Sequence, residues 1–237
     1  MMEAITAYQS TECDIEPKVA VVGIGGAGCN VLSDIYWADG SVDTIAINTD
    51  REALKVTDAD KKLYICKEVL KGEGTGGDSF LGRKCAKIHA DEIESALTGY
   101  DAVFIVAGMG GGTGSGVAPV VADIALRLGS MIFSILIDPF SFETARTKTA
   151  REGIAQMRAI CRNTVIVEND LILENMPDVT MENAFKAVNS SVSRFVTQQK
   201  RKLTGAFVDH LHLNKIEDAT AIFYPAAELP DEIDTHN

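Results

Sequence analysis

Glycine-rich stretches carry most of the chemistry legible in this sequence. The run Gly108-Met109-Gly110-Gly111-Gly112-Thr113-Gly114-Ser115-Gly116 holds six glycines in nine residues, between apolar segments at 102–107 and 117–128. Glycines at this density let the chain turn through conformations closed to other residues and leave backbone N–H groups uncovered. Where such a loop opens a helix, those N–H groups and the helix dipole favour an anion, above all a phosphate. Thr113 and Ser115 add hydroxyl donors. Pro119 is expected in the first turn of the following helix, where its missing N–H does no harm.

Two more glycine loops accompany this one. Gly23-Ile24-Gly25-Gly26-Ala27-Gly28-Cys29-Asn30 contains G-x-G-x-x-G, a weak dinucleotide signal when alone. Gly72-Glu73-Gly74-Thr75-Gly76-Gly77-Asp78 is also open enough to approach a phosphate closely. Between them lies Asn48-Thr49-Asp50. Asp50 has two readings: a carboxylate that organises Mg²⁺ through water, or the N-cap of a helix beginning at Arg51. No G-x-x-x-x-G-K-[ST] motif is present and no lysine falls in a glycine loop, so phosphates would be held by N–H groups and hydroxyls. Charge-assisted hydrogen bonds contribute roughly 1.5–3 kcal/mol each, so several suffice for the ~8 kcal/mol of micromolar binding.

These loops need a scaffold, and the pattern between them supplies one. Apolar strand-like segments at 18–23, 43–47, 62–65, 101–107, 131–137 and 164–168 alternate with helical patterns at 27–37, 79–97, 115–128 and 144–161. The strands are nearly continuous in apolar residues, as buried parallel strands are. The alternation predicts an α/β fold, a Rossmann-like doubly wound parallel sheet with ligands at the carboxyl ends of its strands. A long helix follows from about 180 to 202, with Ala184, Phe185, Val188, Val192, Phe195 and Val196 as its apolar stripe. One more strand is expected at 219–224. The expected organisation is an acidic extension at 1–17, a nucleotide-binding domain at 18–179, the long helix at 180–203 and a short C-terminal segment at 204–237.

The chain has 237 residues, 46% hydrophobic and 24% charged, with a net charge of −12. That acidity disfavours a nucleic-acid backbone as partner. Lys200-Arg201-Lys202 is the one basic cluster and is expected on an exposed helix face. No transmembrane span or secretory leader is legible, so no membrane insertion and a cytoplasmic location are expected. Cys13, Cys29, Cys66, Cys85 and Cys161 match no zinc spacing, and reduced thiols are the default. Cys29, at a helix N-terminus beside a phosphate loop, is expected either to have a lowered thiol pKa or simply to pack.

The combination resembles the tubulin superfamily, and within it the prokaryotic FtsZ family. Gly110-Gly111-Gly112-Thr113-Gly114-Ser115-Gly116 matches that superfamily's GGGTG[ST]G signature. The first loop, Asn48-Thr49-Asp50 and the third loop are similar to family loops, with Thr75 where alanine is common. Pro139-Phe140-Ser141-Phe142-Glu143 matches a P-F-x-x-E ribose loop, and Glu168-Asn169-Asp170 resembles P-N-D with glutamate for proline. Ala184 to Asn189 is similar to the start of the family's central helix. The resemblance implies GTP or GDP with Mg²⁺ as ligands. It places Gly25, Gly26, Ala27, Asn30, Asn48, Asp50, Gly74, Thr75, Gly76, Gly77, Gly108, Gly110, Gly111, Gly112, Thr113 and Gly114 around the phosphates. Glu143 would hold the ribose, Asn169 and Asn189 would read guanine, and Arg146 would neutralise phosphate charge.

The family completes its catalytic site with acidic residues that one subunit lends to the next, in a pattern like N-x-D-x-x-D. No such pattern follows the long helix here; Glu217 and Asp218, in Asn214-Lys215-Ile216-Glu217-Asp218, are the nearest candidates, with Asp209 a weaker one. The family's second domain is not seen after that helix either. The expected function is therefore a guanine-nucleotide-dependent assembly or regulatory module in cell division or the cytoskeleton, with weak or absent hydrolysis of its own. It would self-associate or join a full-length FtsZ- or tubulin-like partner. Two alternatives stand beside it: a self-assembling GTPase that uses Glu217 and Asp218, and, from the Gly23 loop alone, an NAD-dependent oxidoreductase.

Overall fold

The computed structural model describes residues 17–38, 40–175 and 179–212. Within them, Lys18–Lys202 forms one compact unit. Six strands build its sheet: β1 (Val19–Ile24), β2 (Asp43–Asn48), β3 (Lys61–Tyr64), β4 (Ala102–Gly108), β5 (Met131–Asp138) and β6 (Thr164–Glu168). All neighbours pair in parallel, in the order β3-β2-β1-β4-β5-β6. The central strands are buried on both faces, which is why their sequences read as unbroken apolar runs. Edges differ: β3 is exposed at Lys61 and Lys62, and β6 is only partly buried. The expected doubly wound sheet is thus present, with its chain order reversing between β1 and β4.

Helices α1 (Gly25–Ala38) and α2 (Arg51–Val56) pack together, while α4 (Ser79–Ile88), α5 (Ala90–Leu97) and α7 (Thr144–Ile160) pack against α6 (Gly112–Arg127). Two short elements had no sequence signal, α3 (Lys67–Leu70) and α8 (Asp170–Asn175), whereas α2 begins at Arg51, where the N-cap reading of Asp50 put a helix. The single helix expected at 79–97 is two. It breaks at His89 (φ −100°, ψ 23°), whose Nε2 accepts the Cys66 N–H at 2.8 Å. A tertiary hydrogen bond to the end of β3 holds the break, and no periodicity signals it.

Pro119 corrects another expectation. Because α6 begins at Gly112, Pro119 lies inside the helix rather than in its first turn. Its missing N–H leaves the Ser115 carbonyl without its usual helical donor. The long helix is α9 (Met181–His212). Ala184, Val188, Val192 and Val196 of the expected stripe are buried along it, Phe195 is half-buried, and Phe185, also expected in the stripe, is 47% exposed. Arg201 and Lys202 are exposed, as the basic cluster was expected to be. The strand expected at 219–224 and the acidic termini lie outside the described residues.

The reduced-thiol expectation fails at one pair. Cys66 and Cys85 form a disulfide with Cα atoms 5.3 Å apart, whereas Cys29 and Cys161 are free and buried. α4 packs back over the end of β3, bringing together two cysteines whose sequence separation of 19 gave no hint of contact.

Candidate functional site

The pocket opens at the carboxyl ends of β1 and β4, where the strand order reverses, the place where sheets of this kind bind ligands. β1 runs directly into α1 through Gly25, whose φ of +69° makes the turn. β4 leads through Gly108 to Gly111, the N-cap of α6, which offers no side chain to cap the helix. The first-turn N–H groups of Gly112, Thr113 and Gly114 therefore have no capping partner and line the pocket, at the positive end of a 16-residue helix.

Two kinds of glycine serve this site. Some let backbones touch: a Cβ on Gly108 would fall 2.7 Å from the Ala27 Cβ, and one on Gly23 would fall 2.5 Å from the Gly28 carbonyl oxygen. Others face empty space. A Cβ on Gly26 or Gly111 would meet no protein atom within 4 Å, and neither residue has a left-handed φ. Both line the pocket. Packing and backbone conformation leave these two positions free to carry a side chain, so the close approach of a ligand is the remaining physical reason for glycine.

A chain of hydroxyls ties the loops together. The Thr49 and Thr113 hydroxyl oxygens are 2.7 Å apart, and those of Thr75 and Thr113 are 3.4 Å apart. This linkage joins the segments after β2, α3 and β4. Ser115 is not the ligand donor expected: it is buried and its Oγ accepts the Gly110 N–H at 2.8 Å. Its role is to hold the glycine loop.

Of the other expected residues, Gly25, Ala27, Gly108, Thr75, Glu143, Arg146, Asn169 and Asn189 also line the pocket. Asn30, Asn48, Asp50, Gly74, Gly76, Gly77 and Gly110 lie outside its lining. Physical reasons are visible for several. The Asp50 carboxylate caps α2 by accepting the Ala53 N–H at 2.9 Å, the bland alternative of its two readings. Asn48 Oδ1 accepts the Thr49 and Asp50 N–H groups at 2.8 and 3.2 Å, so it shapes the turn. Gly110 (φ +88°) crosses against Arg146, whose Cβ lies 2.7 Å from where a glycine Cβ would stand. Glu217 and Asp218 fall outside the described residues. Among those described, no cluster of three or more His, Cys, Asp or Glu is placed to hold a metal.

At the far end of the pocket, Glu143 accepts the Phe140 N–H at 3.1 Å and pairs with Arg146 at 2.7 Å. Asn169 is buried, and its side-chain oxygen has no hydrogen-bond partner. A buried unpaired acceptor costs about 1–3 kcal/mol, which a donor brought against this wall would recover. Phe185 and Asp138 are among the pocket residues that the sequence reading did not place in the site. Phe185 stands one helical turn from Asn189 on α9 and presents an exposed ring beside it, edge-on to Phe140 at 5.5 Å. The i, i+4 spacing was the available signal. Asp138, the last residue of β5, has its carboxyl pushed up by burial and by Glu168, with Arg151 opposing. Asp138, Glu143 and Arg146 are the charged residues lining the pocket, two acids against one base. An anion placed here would be attracted largely by backbone N–H groups.

Cys29 packs behind the first loop, with Sγ 3.6 Å from the Gly23 carbonyl oxygen. Burial raises its thiol pKa to about 12 from 9.0, outweighing hydrogen bonds to Thr57 and Asn48 that lower it. The lowered pKa weighed from the sequence is thus corrected: the thiol faces the core rather than the helix N-terminus. A pKa raised on folding stabilises the protein below the unfolded value and loses that contribution as pH climbs through the folded value. Stability from Cys29 should therefore decline between pH 9.0 and about 12. Cys29→Ser should flatten that part of a chemical-denaturation profile against pH.

The family model described as the GTPase domain of the tubulin/FtsZ family matches residues 18–177, more than half of the chain. The chain belongs to the tubulin/FtsZ family. Among its tubulin/FtsZ relatives, "Cell division protein FtsZ 2" of Methanocaldococcus jannaschii is 41% identical over 182 residues, covering 76% of this chain and 48% of that protein. The protein of the same name from Haloferax volcanii is 35% identical over 205 residues, 82% of this chain and 51% of that one. The chain thus spans about half the length of the curated relatives it matches. An empty FtsZ dimer from M. jannaschii superimposes with a TM-score of 0.76 at 36% identity, covering 80% of this chain and 56% of that one. CetZ2 of H. volcanii, solved as a GTPγS-bound protofilament, gives 0.71 at 27% identity, with 77% and 58% covered. Among the described residues of this tubulin/FtsZ chain, no helix is long and apolar enough to cross a membrane.

Proposed function

We propose that this tubulin/FtsZ chain binds GTP and GDP in the β1/β4 pocket and acts as a nucleotide-dependent assembly or regulatory module in cell division or the cytoskeleton. The observation that carries the reading is the unpaired, buried Asn169 oxygen in the pocket wall. Guanine presents N–H donors on its Watson–Crick edge, whereas the corresponding ring nitrogen of adenine is an acceptor. Asn189 supplies a second amide, and the Phe185 ring offers a face for the base. The open glycines Gly26 and Gly111 and the uncapped start of α6 suit the phosphates. Glu143 is the ribose partner, through the remaining acceptor capacity of Oε2, which already takes the Phe140 N–H while Oε1 pairs with Arg146. Mg²⁺ would accompany the phosphates and keep most of its waters. Asp50 can join it through water only with the carboxylate oxygen not used for capping.

Displacement of a fluorescent guanine nucleotide tests the ligand. GTP and GDP should compete, while ATP and NAD should fail at the same concentration. Equal competition by ATP would remove the guanine reading. Displacement by NAD would revive the oxidoreductase reading, which at present has its required acid, Asp50, committed to capping α2.

Hydrolysis is expected to be weak in the isolated chain. The acids lining the described pocket are Asp138 and Glu143, and Glu143 is already paired with Arg146. Phosphate release should be slow per molecule and independent of protein concentration. A steep rise with concentration, abolished in Glu217→Ala or Asp218→Ala, would instead support a self-assembling GTPase. Self-association and joining a longer relative are the two forms of assembly this reading admits.

A further inference from the structure

Cys66 and Cys85 bracket the segment that supplies Thr75 to the pocket. Cys66, the N-cap of α3, has a left-handed conformation (φ 61°) and its N–H is held by the His89 imidazole. Cys85 is fully buried on α4, and its carbonyl accepts the N–H of the same His89 at 3.2 Å. The His89 imidazole thus holds Cys66, while its backbone N–H closes the end of α4 on Cys85. Between them run α3 and a loop in which Lys71, Gly72, Gly74, Gly76 and Gly77 all have positive φ. A loop this rich in glycine loses much backbone entropy when ordered. A covalent tie from Cys66, ahead of α3, to Cys85, inside α4, closes the segment that contains the loop and reduces the alternatives open to it.

We propose that Cys66 and Cys85 form a reversible thiol–disulfide site, oxidised by small-molecule disulfides, whose closed form holds the 71–78 loop ready for nucleotide. The link to nucleotide rests on the guanine reading above; the site itself does not. Access runs through α3. This helix has only four residues, lacks a side-chain cap and exposes Lys67, Glu68 and Val69. Opening it uncovers Cys66 while α4 stays packed on α6.

From the reduced state, the Cys66 thiolate attacks one sulfur of RS–SR, forming a mixed disulfide and expelling RS⁻. The Cys85 thiolate then attacks the Cys66 sulfur, breaks its bond to SR and expels the second RS⁻. The two thiol protons end on two RSH molecules. The cysteine pair loses two electrons and the reagent gains them. Excess RSH runs the exchange backwards.

The consequence for the pocket follows from Thr75. Its hydroxyl contacts that of Thr113, and a Cβ on Gly112 would collide with it, so this side chain forms the pocket wall next to the α6 N-terminus. Releasing Cys66 frees α3 and the near side of the loop, and so loosens that wall. Cys29 and Cys161 are buried and free, and supply an internal control for nonspecific thiol chemistry.

The test compares the full chain in two redox states, equilibrated with oxidised glutathione or with excess reduced glutathione, so no variant need fold. Peptide mapping after blocking free thiols should find Cys66 linked to Cys85 in the oxidised sample and both blocked in the reduced one. Amide exchange in 71–78 should be slower when oxidised. GTP should bind roughly five- to tenfold more tightly to the oxidised form, and a Cys66→Ser, Cys85→Ser double variant should ignore the treatment. Absence of the linked peptide, equal exchange in 71–78, or equal GTP affinity in two states that both bind GTP overturns the proposal. If neither state binds guanine nucleotide, the guanine reading fails and amide exchange alone decides the redox site.

Discussion

Asn169→Leu will weaken GTP binding while leaving the fold as stable as before, or slightly more so. Leucine has nearly the same shape as asparagine, and the Asn169 oxygen is buried with nothing donating to it. Exchanging an unsatisfied buried acceptor for a methyl group removes a cost from the free protein. In the complex the same exchange leaves a guanine N–H unpaired against an apolar wall. That loss is worth about 1–3 kcal/mol, or roughly five- to 150-fold in affinity. Calorimetric titration with GTP and a thermal melt of the free protein read the two effects separately. A melting temperature that drops along with affinity would show that Asn169 is structural, and that its oxygen finds a partner within the protein.

Gly28→Ala will unfold or severely destabilise the chain, whereas Gly26→Ala, two residues away, will fold normally and bind nucleotide poorly. A Cβ on Gly28 would run into the Val106 carbonyl oxygen of β4, with Gly23 backbone carbon 3.2 Å away on the other side. Both obstacles are backbone of central strands, which cannot step aside. Forced overpacking of this kind costs about 3 kcal/mol or more. In a chain of this length that lowers the melting temperature by roughly 6–12 °C. At Gly26 the added methyl meets nothing of the protein and projects into the pocket. Its effect should appear in nucleotide affinity and not in the melt. Gly111→Ala, equally open, should behave like Gly26→Ala. A stable Gly28→Ala, or a Gly26→Ala that binds GTP normally, would refute the division of the loop into packing and ligand-facing glycines.

That division could not be made from the letters alone. All the glycines of the first loop look alike in sequence, and only their neighbours separate them. The same holds for hydroxyls and acids. Thr113 and Ser115 stand two apart in one motif, yet Thr113 lines the pocket and Ser115 is buried against Gly110. Asp50 sits at the carboxyl end of β2, where a ligand-binding acid would be sought, and only the structure shows that one of its oxygens is taken up in capping α2. Phe185 reads as core by helical spacing and stands exposed beside Asn189, because α9 turns that face towards the pocket.

What the sequence determined by itself is the kind of sheet and the end of it that holds the chemistry. Strand-length apolar runs alternating with amphipathic segments admit few arrangements other than a parallel sheet covered on both faces, and glycine loops after the first and fourth strands place the site at their carboxyl ends. These are local signals, carried by periodicity and by glycine density. Tertiary structure decided which side chains face the pocket, which oxygen is left unpaired, where the 79–97 helix breaks at His89, and that Cys66 meets Cys85. Each of these depends on a distance between residues far apart in the chain, set by how α4, α6 and α9 pack. Such distances leave no trace in periodicity, because the same pattern folds equally well with the contacting residue one turn earlier or later.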